Sequence, residues 1–420
     1  MKRRFLAVCA AIVVATAVTA CGALPGSDEE SGGVTLWLMK GSASDSFIKK
    51  FTDSFEAEHP GVDLEVKIQE WTGIGDKVNG VLKGTATERA DVIEVGNTQV
   101  AQYIETGGLS ELTLEGLREW GSRDWLKGLA DPGSINGAQY GIPWYAANRV
   151  VIYNKDLFEK AGIKNPPKNR QEWLAATQKL DKGDRQGIYL PGQNWYVLAG
   201  FIWDEGGELA VEGNGVWTGS LGTPQALAAM DFYKELHALG DGPAGADEET
   251  PPQAEVFARG QVAQIIAPPG QAAQIESLNP ALKGRLGYFP IPGKTSDKPG
   301  AVLTGGSDLI IPENTANRKL AVDVITALVS ERWQTELART MSYVPNKPSL
   351  AHAVQGNEGA AAMTAGAAQG RATPKSGRWA EVEAKNPIKP YMSAVLSGQD
   401  AKQAAGAASD TISKVLSSDR

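Results

Sequence analysis

Residues 34–104 alternate between two hydrophobic periods, and that alternation restricts the fold more than any other feature of the chain. Val34 to Leu38 (VTLWL) is β-branched and aromatic, a run suited to a buried strand. Ser44 can cap a helix whose Phe47, Phe51 and Phe55 recur at i, i+4 and i+8 on one face. His59-Pro60-Gly61 ends it. Val62 to Ile68 (VDLEVKI) alternates as a strand, Val78, Val81 and Leu82 line a second helix, and Asp91 to Val95 (DVIEV) reads as a third strand. A helix with Val100, Tyr103 and Ile104 turned inward follows. Strand–helix units with short connections imply right-handed crossovers and a mostly parallel sheet covered on both faces. Ligands of such sheets lie beyond the carboxyl ends of the strands. Those ends carry Met39-Lys40-Gly41, Glu70-Trp71 and Gly96-Asn97-Thr98.

The 420 residues suffice for two to three compact units, and 42% hydrophobic content excludes a disordered chain. A formal net charge of −8 argues against a nucleic-acid partner, which requires a basic face. Both cysteines, Cys9 and Cys21, fall at the start of the chain, so the body has no internal disulfide, cysteine zinc site or thiol catalyst. His59, His237 and His352 are scattered without the spacing of metal ligands or of a nucleophilic triad. Gly287 to Thr295 has the outline of a phosphate loop but one residue too many, and its prolines lack the N–H groups that would cradle phosphate.

Lys2, Arg3 and Arg4, the apolar run Phe5 to Val18, and the small residues Thr19 and Ala20 form the three parts of a secretion signal. Val18-Thr19-Ala20-Cys21 resembles a bacterial lipobox, with Val at the position where Leu is usual. That resemblance implies cleavage after residue 20 and a lipid on Cys21; the alternative is an ordinary cleaved signal. Gly22 to Gly33 (GALPGSDEESGG) has the small, polar composition of a flexible tether. The expectation is an exported protein, lipid-anchored on the extracellular face of the cell membrane.

A second group of segments extends over nearly all the rest: FTDSFEAEHPGVDLEV, DVIEVGNTQVAQYIETGGLSELT, YGIPWYAANRVVIYNKDLFEKAGI, FIWDEGGELA, VFARGQVAQI, GGSDLIIP and VPNKPSL. In order and spacing they resemble the family 1 extracellular solute-binding proteins of bacterial carbohydrate ABC importers, especially actinobacterial lipoproteins that bind disaccharides. The resemblance implies an α/β, two-lobed periplasmic-binding-protein-like fold of the class II type, each lobe a mostly parallel sheet flanked by helices. It implies lobe 1 from 34–145 plus 303–343 and lobe 2 from 146–302 plus 344–420. Crossing segments are expected near Pro143–Val151, Leu303–Ser307 and Tyr343–Pro348. The implied partners are an oligosaccharide and the permease subunits, with no cofactor, no metal and a monomeric state.

Sugars present an apolar face and a rim of hydroxyls, which flat aromatic rings and a few oriented polar groups hold best. Tryptophan, at 11, exceeds both Phe and Tyr, which supplies candidates. Trp144 and Tyr145 stand where the first lobe hands over to the second, and neighbours in an extended chain point opposite ways. One of the two is therefore expected on the ligand. Trp71 ends a strand on the binding edge; Trp195 and Trp203 belong to the second lobe. Trp379 is assigned to the cleft by the resemblance. The polar candidates are Asn97, with Thr98 and Gln99, then Arg149, Ser307 and Asp308, and more weakly Lys40. Each has a structural alternative: strand ending, helix capping, or pairing with a neighbouring acid.

A secreted glycoside hydrolase would also be acidic and rich in tryptophan, but needs two carboxyl groups across the scissile bond. Glu205 and Asp308 are the pair available to it. A solute-binding protein for a non-sugar ligand is the other alternative.

Overall fold

The computed structural model describes residues 32–71 and 73–417; the signal segment, Cys21 and nearly all of the tether lie outside them. β1 (Gly32–Met39) pairs in parallel with β2 (Val62–Gln69) along its whole length and with β3 (Val92–Gly96) on its other side. Helices α1 (Asp45–Glu58) and α2 (Ile74–Leu82) make the crossovers. Ser44 caps α1 by accepting the Phe47 N–H, and the three phenylalanines are buried. Phe47 and Phe51 meet the Trp333 ring edge-on at 5.5 and 5.0 Å.

β4 (Ile142–Ala147) carries the chain to the crossing, and β5 (Val150–Asn154) enters the second lobe. That lobe packs α3 (Arg170–Leu180), α4 (Trp195–Asp204) and α5 (Pro224–His237) around a core that includes Trp173, Phe201 and Tyr233. β6 (Gln264–Ala267) and β7 (Leu286–Phe289) flank β5, both antiparallel to it. Parallel pairing therefore holds for β1, β2 and β3 and not for this second sheet. The topology supplies the reason: a chain that leaves the crossing on β5 has to run back toward it on β7.

β8 (Gly305–Ile310) then returns to the first lobe and inserts between β3 and β4, antiparallel to both. Helices α6 (Arg318–Leu328) and α7 (Glu331–Met341) cover that sheet, and β9 (Val344–Pro345) closes its edge. The six strands run β9-β4-β8-β3-β1-β2. Helices α8 (Trp379–Lys385), α9 (Ile388–Leu396) and α10 (Ala401–Ser417) complete the second lobe.

One irregularity governs the crossing. Ser307 lies opposite Tyr145 and Asp308 opposite Pro143, so Trp144 is an extra residue in β4. Such a bulge breaks the alternation of side chains. Trp144 and Tyr145 accordingly pack into the same core, their rings 5.1 Å apart.

Candidate functional site

The two lobes meet where the turn Asn97–Gln99, at the carboxyl end of β3, faces α8. Thr98 Oγ1 of the first lobe donates to Glu383 Oε2 of the second at 3.1 Å. The Trp379 indole, one turn earlier on α8, donates to Glu383 Oε1 at 3.2 Å. Burial raises the Glu383 carboxyl from 4.5 to about 7, outweighing those two bonds.

Beside this junction is a cavity of about 440 Å³ lined by Gln193, Trp195, Tyr196, Glu383, Asn386 and Lys389, among others. Ligand sites for small molecules span about 300–1,000 Å³. Trp195 and Tyr196 occupy the first turn of α4, with ring centroids 4.4 Å apart. Asn194 caps that helix through the Val197 N–H and donates its side-chain amide to Glu248 Oε1 at 3.1 Å. Arg149 grips the same carboxylate with Nε–Oε1 at 2.6 Å and Nη2–Oε2 at 2.5 Å, and its guanidinium stacks 3.8 Å over Tyr196. A planar cation held by two carboxylate oxygens is a rigid support. Arg149 thus fixes the Tyr196 ring and has little capacity left for a ligand.

Trp71 stands in the first lobe, beside the carboxyl end of β3. It is 43% exposed, and its ring lies across Gly96, where a Cβ would come 3.7 Å from Cζ3. Neighbouring Ile68 is exposed as well. Lys40 pairs with Glu70 at the same strand ends. Of the expected site residues, Trp195 lines the cavity, Arg149 supports it through Tyr196, Trp379 is buried in the second lobe's core behind Glu383, and Trp71 is exposed beside the end of β3.

Several expected ligand groups are placed elsewhere. Trp144 is fully buried in the first lobe's core, because the bulge turns it to the face that Tyr145 shares. Asn97 is buried and directs its amide N–H groups to the carbonyls of Thr304 and Gly128, so it clasps the crossing segment to the end of β3. Ser307 is sealed within the sheet, where it donates to Glu94 Oε1 at 2.6 Å. Asp308 is equally sealed, and neither of its carboxyl oxygens has a hydrogen-bond partner. Burial raises its pKa well above the carboxylate range, which favours the neutral acid. Trp203 is buried in the second lobe under Arg371, whose guanidinium is 5.8 Å from the ring centroid. The hydrolase pair is not assembled: Glu205 is held by Arg170 and Lys294, each at 2.8 Å, while Asp308 has no access to a substrate.

Tyr145 belongs to a buried polar cluster centred on Glu94. Its hydroxyl lies 3.2 Å from Glu94 Oε1 and 3.0 Å from Ser42 Oγ, and its ring stacks on Tyr343 at 4.0 Å. The Met39 N–H donates to Glu94 Oε2 at 2.7 Å. Burial nevertheless pushes the Glu94 carboxyl up from 4.5 to about 7. The folded protein thus holds this proton more tightly than the unfolded chain does. Its stabilising contribution is complete below pH 4.5 and is lost as the pH rises through about 7. Urea unfolding should therefore show a loss of up to about 3 kcal/mol between pH 5 and 8. Glu94→Gln should remove that part of the slope; an unaltered slope would assign it to other groups.

Three of the groups that build the site escaped the sequence reading: Glu383, Tyr196 and Glu248. Two carried a usable signal. Tyr196 adjoins Trp195 in a turn, and Glu383 follows Trp379 by four residues, hence on one helix face. Glu248 is an acid in a loop, with nothing in its surroundings to mark it.

Residues 40–335 match the family described as bacterial extracellular solute-binding protein. The chain is 36% identical over 416 residues to the diacetylchitobiose binding protein DasA of Streptomyces coelicolor, covering 96% of each. It is 28% identical over 331 residues to a putative binding protein of Brucella abortus, covering 76% of this chain and 77% of that one. Among solved structures, the sugar-binding protein MalE of Xanthomonas citri superposes with a TM-score of 0.82 at 21% identity, covering 91% and 97% of the two chains. The cyclic alpha-maltosyl-1,6-maltose binding protein of Arthrobacter globiformis gives 0.77 at 19% identity, covering 92% and 99%. Two lobes, an aromatic-lined junction without an assembled catalytic pair, and a family match over most of the chain agree: this chain belongs to the bacterial extracellular solute-binding proteins.

Proposed function

We propose that the protein captures a neutral disaccharide outside the cell, in the class of N,N′-diacetylchitobiose, and delivers it to an ABC importer without breaking a bond. The observation that carries this reading is the near full-length similarity to a diacetylchitobiose binding protein. The cavity beside the lobe junction, lined by Trp195 and Tyr196, and the exposed Trp71 of the first lobe supply rings suited to the faces of sugar units. Ligand touching both walls would stabilise the closed arrangement by its differential contacts. In this reading the chain acts as a monomer, tethered through lipid on Cys21 and docking on permease subunits. Cys21→Ala should then release the protein from the membrane fraction into the medium, as cell fractionation would reveal.

The test is a titration of the purified protein with diacetylchitobiose, cellobiose and xylobiose, followed by tryptophan fluorescence and then by chromatography of the sugar. Saturable change with intact sugar is expected, tightest for diacetylchitobiose. Steady appearance of monosaccharide would overturn the transport reading in favour of a hydrolase. Trp71→Ala separates binding from folding: stability should stay within about 0.5 kcal/mol, as for an exposed site. Affinity should fall by about 1–3 kcal/mol if the ring stacks on sugar. Unchanged affinity would remove Trp71 from the site.

A further inference from the structure

We infer that Glu383 is the group that reads the ligand, accepting a hydrogen bond from a sugar hydroxyl or amide N–H between the two lobes. The inference rests on the sugar-binding reading and adds to it a named acceptor and a selectivity for neutral, donor-bearing ligands. Glu383 has acceptor capacity left unfilled. A carboxylate offers about four acceptor sites. Glu383 uses one on each oxygen, for Thr98 Oγ1 and for the Trp379 indole N–H. Among the described residues, no Lys or Arg forms an ion pair with it. Lys389, which also lines the cavity, pairs with Asp247 at 3.0 Å, and Arg149 is committed to Glu248.

A half-buried carboxylate without a cation is costly unless donors complete its shell. Glu383 lines the same cavity as Trp195 and Tyr196, so the missing donors can come from a molecule lying on those rings. Both present partners donate to the carboxylate, and a sugar O–H or N–H would extend the same pattern. A uronate or phosphate in contact with Glu383 would meet like charge, although Lys385 and Lys389 line the same cavity. Because Thr98 belongs to the first lobe and Glu383 to the second, a ligand donor at this point bonds where the lobes already touch. Capture and closure would then depend on one carboxyl group.

The groups around Glu383 are Thr98 from the turn after β3, Trp379 and Lys385 from its own helix, the Tyr196 phenol from α4 with the Arg149–Glu248 pair behind it, and across the cavity Lys389 of α9, paired with Asp247. With its pKa raised to about 7, Glu383 is largely ionised at pH 8 and largely protonated at pH 6. A ligand that donates to the anion should bind about tenfold more weakly at pH 6 than at pH 8. Calorimetric titration with diacetylchitobiose across pH 5.5–8.5 reads this directly. Glu383→Gln should bind roughly tenfold or more weakly than the parent at pH 8 and show a flat pH profile. Thermal unfolding of the variant checks that it folds; if it does not, the profile of the parent alone decides. Parent-like affinity in the variant, or a flat profile in the parent, would overturn the role of Glu383 and leave sugar binding intact. No binding of any tested sugar by the parent would overturn the sugar reading and this inference together.

Discussion

Trp144→Ala should lose about 3–5 kcal/mol of folding stability while the folded fraction keeps its sugar affinity. The ring is fully buried among residues of the first lobe's core and packs edge-on against Tyr145. Deleting it removes the transfer energy of a large aromatic and leaves a cavity that the bulged strand cannot collapse to fill. The indole N–H has no hydrogen-bond partner, so Trp144→Phe gives up volume and also discards an orphaned buried donor. That variant should lose far less than the alanine variant. Urea unfolding measures both, and fluorescence titration of the folded fraction measures affinity. A large loss of affinity at unchanged stability would return Trp144 to the binding site.

The misplacement of Trp144 shows where sequence reasoning stops. Alternation along an extended strand predicts that two neighbouring aromatics diverge, and at a regular strand they would. One extra residue opposite β8 cancels the rule, and its partner lies in a segment far along the chain. The elements readable from sequence are those whose cause is local. The Ser44 cap, the phenylalanine face of α1 and the crossovers between β1, β2 and β3 depend on residues a few positions apart. The pairing of β8 with both β3 and β4, and the antiparallel second sheet, depend on how the chain returns. The site divides in the same way. Trp71 and Trp195 stand at an element end and an element start, where local signals point. Asn97, Ser307 and Asp308 stand at equally suggestive positions, yet the chain that covers them comes from elsewhere.

Arg149→Ala should cost about 3–5 kcal/mol, because it leaves the Glu248 carboxylate desolvated without its cation. Both side chains are largely buried, at 18% and 10% exposure, so solvent screens the pair little. Asn194 and Gln253 would still donate to Glu248, but neither carries charge. Removing both partners, as in Arg149→Met with Glu248→Met, should restore much of the lost stability. The functional effect follows a different line. Tyr196 loses the plane that holds it, so affinity should fall in the single variants and in the double variant alike. Glu248→Gln should weaken binding as Arg149→Ala does, since each loosens the same support. If Arg149 touched the sugar directly, Glu248→Gln would leave affinity nearly intact. Unfolding curves and titrations of the four proteins distinguish these cases.

The strand order of the first lobe also sets the sequence of events after export. Among the described residues β8 alone joins β3 to β4, and it is made after the whole continuous part of the second lobe. Until it arrives, the N-terminal strands form a half-sheet with an open edge, next to a separate strand with two. Open edges of this kind pair readily with other chains. The first lobe to emerge is therefore the last to be completed, and contacts closed over such separations form slowly. A chain cut short before residue 305 would carry Trp71, Trp195 and Tyr196 but lack both Glu383 and the strand that holds the lobe together. During that interval the exposed strands have to be kept from pairing with other chains.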